Sequence, residues 1–132
     1  MRQTASFALQ KAIYQRAGVV TGKAVYDAVP ENAPFPYLVI GDDTVSDESG
    51  KLVSIESIES QVFIYSQYPG YAEAKAIADQ LVQGVTPQTL DLSGDGFKVL
   101  LVNVLGYSTG KVDAKTRQLV VRFQVKVSKK EA

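Results

Sequence analysis

The sequence predicts an α+β domain: a mainly antiparallel β-sheet covered by two helices, in the order α-β-β-β-α-β-β-β. Three observations predict it. Between Tyr71 and Val82 apolar residues recur with a 3.6-residue period, the mark of a helix with one buried face. Between Gln118 and Ser128 they alternate strictly, the mark of a strand with one buried face. The strand candidates follow each other through short turns, which favours antiparallel pairing, and two helices then suffice to cover one face of the sheet. With 132 residues and no internal repeat or low-complexity linker, the chain reads as one domain, residues 1–132. A chain of this size buries roughly 68% of its unfolded surface, enough for a core without disulfides or metals.

Residues 4–17 read as the first helix. Thr4 or Ser6 supplies an N-cap hydroxyl, Ala5, Leu9, Ala12, Ile13 and Ala17 make the apolar face, and Gly18 supplies the stop. Arg16 then falls in the last turn, where a cation suits the helix dipole. Phe7 and Tyr14 lie roughly opposite Leu9, about 150° round the helix. They are either singly exposed aromatics or an intersubunit contact.

Lys23–Val29 is a short strand candidate. "PENAPFP" cannot be helical, because prolines at 30, 34 and 36 fix an extended connector. Tyr37–Gly41 and Ile55–Tyr65 follow as strands. The second carries apolar residues on both faces near its end, so it reads as central and covered on both sides there. Tyr71, Ala74, Ile77, Ala78, Leu81 and Val82 form the apolar arc of the second helix, which Gly84 ends. Thr89–Leu92 is a short strand candidate. "SGDG" at 93–96 is a tight turn, and Phe97–Leu105 is a strand rich in large and β-branched residues. Gly106–Thr116 reads as a loop or an extended hairpin tip. In Gln118–Ser128, Leu119, Val121, Phe123, Val125 and Val127 face the core. The terminal residues 129–132 read as frayed.

Composition excludes more than it specifies. Lys+Arg and Asp+Glu both number 14, so there is no general attraction to nucleic acid or anionic membrane, and little repulsion against self-association. The absence of cysteine excludes disulfides and thiolate chemistry. The absence of histidine removes the commonest general base and the commonest transition-metal ligand. No secretion signal and no stretch of ~20 apolar residues stands out, so folding in a cytosol is expected.

The acids Asp42, Asp43, Asp47 and Glu48 are the densest charge cluster. Their spacing does not fit a calcium loop, since Gly50 falls after the acids; a magnesium site needs only one or two carboxylates and stays open. Next to Ser and Gly they read first as a solvated turn, and otherwise as a charged contact. "SGDGFK" lacks both the phosphate-loop lysine and the dinucleotide spacing. No nucleophile elbow is present. Lys111, Asp113, Lys115 and Arg117 make a mixed-charge loop with a basic bias, without the aromatics that single-strand nucleic-acid binding uses. A metal-dependent nuclease built on the acids is conceivable, but nothing in the spacing singles it out. The residues therefore assign no catalytic group, no cofactor and no metal ligand.

The order of particular words adds what composition cannot. "LQKAIYQRAG" opens the chain, "VYDAVPENAPFPYLVIGDD" carries a proline linker into a Pro-Tyr strand, and "SIESQVFIYSQYPGYAEAKAIADQL" runs a strand through Tyr65-Ser66 directly into a helix. Together they resemble the small tail-completion or tail-terminator proteins of long-tailed bacteriophages and prophages, over nearly the whole chain. The resemblance implies a virion structural protein, assembled in the bacterial cytoplasm, and no enzyme. It implies a ring, commonly a hexamer, that caps the finished tail tube and halts its polymerisation. The same ring presents the surface that joins the head-tail connector, and DNA passes through it without specific binding. Another neck or head-tail joining role is the nearest alternative. Such proteins can be monomers in solution that order their loops on assembly. The candidate contacts with other subunits or the tail tube are Asp42, Asp43, Asp47 and Glu48 on one loop. On the other they are Lys111, Asp113, Lys115 and Arg117, with Phe7 and Tyr14 on the helix. Opposite charge bias lets the first loop meet Lys111, Lys115 and Arg117 of a neighbour in a head-to-tail, heterologous contact.

Overall fold

A computed structural model of the chain describes residues 4–129. Helix α1 (Ala5–Thr21) is capped by the Thr4 hydroxyl, which accepts from the Phe7 N–H at 3.2 Å. It runs through Gly18 and ends instead at Gly22, whose φ of 67° only glycine adopts without strain. Arg16 is consequently not in the last turn; its Nε donates to the Gly84 carbonyl at 2.7 Å and ties α1 to the second helix. That helix, α2 (Ala72–Gly84), buries Ala74, Ile77, Ala78 and Leu81, most of the arc read from the sequence.

The strands are β1 (Ala24–Tyr26), β2 (Tyr37–Asp47), β3 (Ile55–Ser66), β4 (Phe97–Lys111) and β5 (Arg117–Lys129), in the sheet order β1-β2-β3-β5-β4. The element order is thus α-β-β-β-α-β-β, one strand fewer than expected. Thr89–Leu92 is not a strand. Leu90 and Leu92 are buried there as anchors, and the Thr89 hydroxyl donates to the Gly84 carbonyl at 2.9 Å. A single 3-10 turn, Ser93–Asp95, leads into β4 through Gly96 at φ 84°.

Pairing is antiparallel throughout except for β1 against β2, which is parallel. The proline-rich connection between Tyr26 and Tyr37 is long enough to carry the chain back along the sheet, so the short-turn argument for antiparallel pairing does not apply there. Both hairpins are longer than the sequence suggests. β2 continues through the acids to Asp47, and β4 continues through Gly106 to Lys111, leaving Val112–Thr116 as the tip.

One face of the sheet carries the core. Leu38, Ile58, Val62, Ile64, Leu119, Val121, Phe123 and Val125 pack under Leu9, Ile13, Ala17 and Leu81 of the helices. Among the described residues no layer covers the other face. Its apolar residues cover one another: Tyr37 packs against Tyr26, Phe35 and Tyr65 with ring centroids 5.6, 5.0 and 5.5 Å away, and Phe63 stacks on Tyr65 at 6.3 Å. The two-sided covering expected of β3 is therefore a helical layer on one side and a row of aromatics on the other. Lys129 closes β5, its N–H donating to the Ser54 carbonyl, and residues 130–132 of the expected frayed tail lie outside the described residues.

Candidate functional site

The acidic run is the outer half of β2. Asp43 to Asp47 pair residue by residue with Ser60 to Glu56 of β3, and a register irregularity between Ile40 and Asp43 marks where the arm begins. Gly41 stands at that point with the Phe63 ring lying against its Cα, where no side chain would fit. Most of these acids already have work inside the chain. Asp43 accepts from the Ser6 hydroxyl at 2.5 Å, Glu48 pairs with Lys126 at 2.9 Å, and Asp47 accepts from the Ser49 N–H at 2.9 Å. The Ser49 side chain and then its backbone N–H hold the Asp47 carboxyl below the usual carboxylate range.

Asp27, Asp42 and Asp43 line an open cleft of about 450 Å³ together with Gln10 and Ser60. Among the described residues no three acidic groups come together in a way that could hold a metal ion.

The second candidate set is the β4–β5 hairpin tip. Asp113 accepts from the N–H groups of Lys115 and Thr116, both at 2.8 Å, and closes the turn. The Lys115 N–H, followed by the Thr116 hydroxyl, lowers its pKa. Arg117 lies over the Tyr71 ring at 5.8 Å, and Gln67 bonds the Thr116 hydroxyl at 3.1 Å, so the base of this tip is fastened to the β3–α2 connection. The Tyr65-Ser66 pair sits in that joint: the buried Ser66 hydroxyl donates to Glu73 at 2.7 Å and accepts from the Tyr68 N–H at 3.1 Å. Lys111 and Lys115 form no ion pair with described residues and are free to meet a partner.

The two sets lie at opposite ends of one sheet. The β2–β3 tip sits beside Ile55 and Ser128, the β4–β5 tip beside Ser66 and Arg117. At about 3.3 Å per residue the two tips are roughly 35 Å apart, and Asp43, level with Ser60, stands roughly 20 Å from the level of Arg117. The sets do not meet within a chain, and two copies side by side at equal height keep these separations. Only copies displaced along the strands could bring Asp42–Glu48 against Lys111–Arg117.

Phe7 and Tyr14 are exposed on α1, with Lys11 between them 5.7 Å over the Phe7 ring and 3.3 Å from Asp95. Sequence reading missed three further features. Leu52 is 91% exposed at the β2–β3 tip, beside the exposed Val53. Val45 is exposed on the acidic arm. The edge strand β4 exposes Leu100, Leu101, Val104, Leu105 and Tyr107. The signal for the last was available: Val99 to Gly110 contains no charged residue.

Comparison with known proteins finds relatives in sequence and in fold. A family model described as tail completion protein gp17 matches residues 7–128. A chain in the virion of a native gene transfer agent particle superposes with a TM-score of 0.80 at 26% identity, over 95% of this chain and 98% of that one. The gp17 protein of bacteriophage SPP1 shares the fold, with a TM-score of 0.57 at 22% identity over 93% of this chain and 91% of its own. Among curated proteins none matches by sequence. Among the described residues no helix is long and apolar enough to cross a membrane.

Proposed function

The chain belongs to the tail completion protein gp17 family, and from that membership we propose that it is a virion structural protein that caps the tail tube as a ring, a hexamer. It ends tube polymerisation and offers the surface on which the head-tail connector docks. The observation that carries this is the match over nearly the whole chain, together with the likeness at TM-score 0.80 to a chain that is itself part of a virion. The protein works by shape and contact, without catalysis or cofactor. Zero net charge suits a ring through which DNA passes without being gripped.

The two ends of the sheet support a polar ring. One end carries the acidic arm with an apolar tip at Leu52, the other carries Lys111 and Lys115. A ring of such subunits has two chemically different rims, as a part joining two unlike partners needs. Asp42, Asp43, Asp47 and Glu48 serve one rim or the contact between neighbours. Lys111, Asp113, Lys115 and Arg117 serve the other rim, and Phe7 with Tyr14 the outer surface of α1.

The test is to add the protein to polymerising tail-tube protein and to image the products beside a native mass measurement. Rings at tube ends and tubes of limited length are expected. A protein that stays monomeric and ignores tube ends would overturn the reading. Rings that bind only the portal complex would move it to another neck position.

A further inference from the structure

Among the described residues, and apart from the three-residue edge of β1, two long stretches of sheet edge have no backbone partner. β1 covers β2 only at Tyr37–Val39, so beyond Ile40 the outer edge of the arm, Gly41–Asp47, is open. At the far side of the sheet, β4 pairs with β5 alone. An open edge presents a row of unpaired N–H and C=O groups, and native chains ordinarily blunt it with charge, proline or brevity. β4 spans 15 residues, contains no proline, and carries charge only at Lys98 and Lys111.

Resting on the ring reading above, we propose that neighbouring copies join edge to edge: the outer edge of Gly41–Asp47 in one copy pairs with the outer edge of β4 in the next, so that one sheet runs on round the ring. Direction and chemistry fit a second copy of this chain as the occupant, and height fits for Phe97–Val104; Ser108–Gly110 are level with Tyr37–Val39, where β1 already pairs, so β4 leaves the edge at its irregularity between Val104 and Gly106. β2 and β4 are antiparallel to each other, through β3 and β5, so copies placed side by side with helices on the same face bring the two edges together in the antiparallel sense. Following the registers across the sheet puts Val45 level with Ile58, Val125 and Val102, and Asp43 level with Ser60, Phe123 and Val104. The exposed Val45 of one copy therefore falls beside the half-exposed Val102 and Val104 of the next, on the helix side of both sheets. Asp47 is level with Val99, which brings the acid end of the arm to Lys98 of the neighbour, an opposite-charge contact at the end of the ladder. The irregularities at Leu100 and Leu105 leave Leu101–Val104 as the regular stretch between them. The contact is heterologous, as a ring requires, whereas β4 against β4 would be two-fold and would close at a dimer.

The absence of cysteine makes the proposal directly testable. Val45 and Val102 of one chain are separated by three strand spacings, about 14 Å, too far for an internal disulfide. Val45→Cys is combined with Val102→Cys, and in a second protein with Val104→Cys. Each is oxidised with tail-tube protein present, after a melting midpoint matched to the parent shows that it folds. The expected result is a covalent ladder up to the ring size from at least one double variant and no cross-link from any single variant. Dimers from Val102→Cys or Val104→Cys alone would mean β4-to-β4 pairing and overturn the proposal. Rings at tube ends without cross-links would overturn the edge pairing while leaving the ring standing; absence of rings would overturn both.

Discussion

Replacing Gly41 by alanine should destabilise the protein, although alanine in a strand is ordinarily the better residue by about 0.5–1 kcal/mol. A Cβ at Gly41 would lie 2.2 Å from Cε2 and 2.8 Å from Cδ2 of Phe63, and 3.2 Å from Cβ of Gln61. Two of these are ring atoms, and the ring cannot simply swing aside, because it stacks on Tyr65 with an interplanar angle of 13°. Forced overpacking of this kind costs about 1–3 kcal/mol, so the net loss is up to about 2.5 kcal/mol, centred on about 1 kcal/mol. Equilibrium urea unfolding reads it as a lower midpoint at unchanged slope. The double cycle with Phe63→Ala isolates the cause. Without the ring, the Gln61 contact alone remains, and Gly41→Ala should become neutral or stabilising by about 0.5 kcal/mol. Effects equal within about 0.5 kcal/mol in the two backgrounds would refute the argument that Phe63 is what demands glycine.

Three more outcomes are expected. Asp43→Lys with Asp47→Lys should weaken ring formation in low salt and less so in high salt, since exposed charge contacts are screened; an unchanged oligomer mass at low salt would exclude the arm from the interface. Phe123→Ala should cost about 3–5 kcal/mol, because its side chain is fully buried at the centre of the sheet; circular-dichroism melting checks it, and a loss under 1 kcal/mol would mean the core closes over the gap. Asp47 and Asp113 both have pKa values below the ordinary carboxylate value, so their contribution to the two hairpin tips is present above about pH 4 and lost as pH falls through the folded values. Protection of the Ser49, Lys115 and Thr116 amides, taken relative to the intrinsic exchange rate at each pH, should therefore fall in acid, and pH-independent protection there would contradict the turn geometry.

What the sequence made legible was wherever one side of an element is buried. β5 alternates because Leu119 to Val127 sit under the helices, and α2 repeats every turn because Ala74, Ile77 and Leu81 do. The acidic arm escaped because a strand exposed on both faces imposes no alternation. Thr44, Val45, Ser46 and Asp47 are all exposed, and what keeps them extended is the ladder to β3, which leaves no trace in side-chain type. Gly106–Lys111 escaped for the same reason, held only by β5. Gly18 misled because glycine is usually a stop. Here Val19, Val20 and Thr21 prolong the helix, and Thr21 bonds its hydroxyl back to the Ala17 carbonyl at 2.7 Å before Gly22 ends it.

The parts missed by periodicity are the parts the core needs least. Little in the core requires β2 to run past Gly41 or β4 to run past Val102, because beyond those residues both strands are mostly exposed on both faces. Each still orders a long ladder at a conformational cost of about 1–2 kcal/mol per residue, offset within the monomer mainly by hydrogen bonds of modest net worth. An apolar Leu52 at one tip and five exposed large apolar residues along β4 add surface that water does not favour. A monomer selected only for its own stability would shorten these strands and place on the β4 edge the charge that the β2 arm already carries. Under the edge pairing proposed above, the neighbour supplies the contacts that the length of both strands and the uncharged centre of β4 leave unmade, and the strands that a one-chain reading takes for loops are the assembly surface.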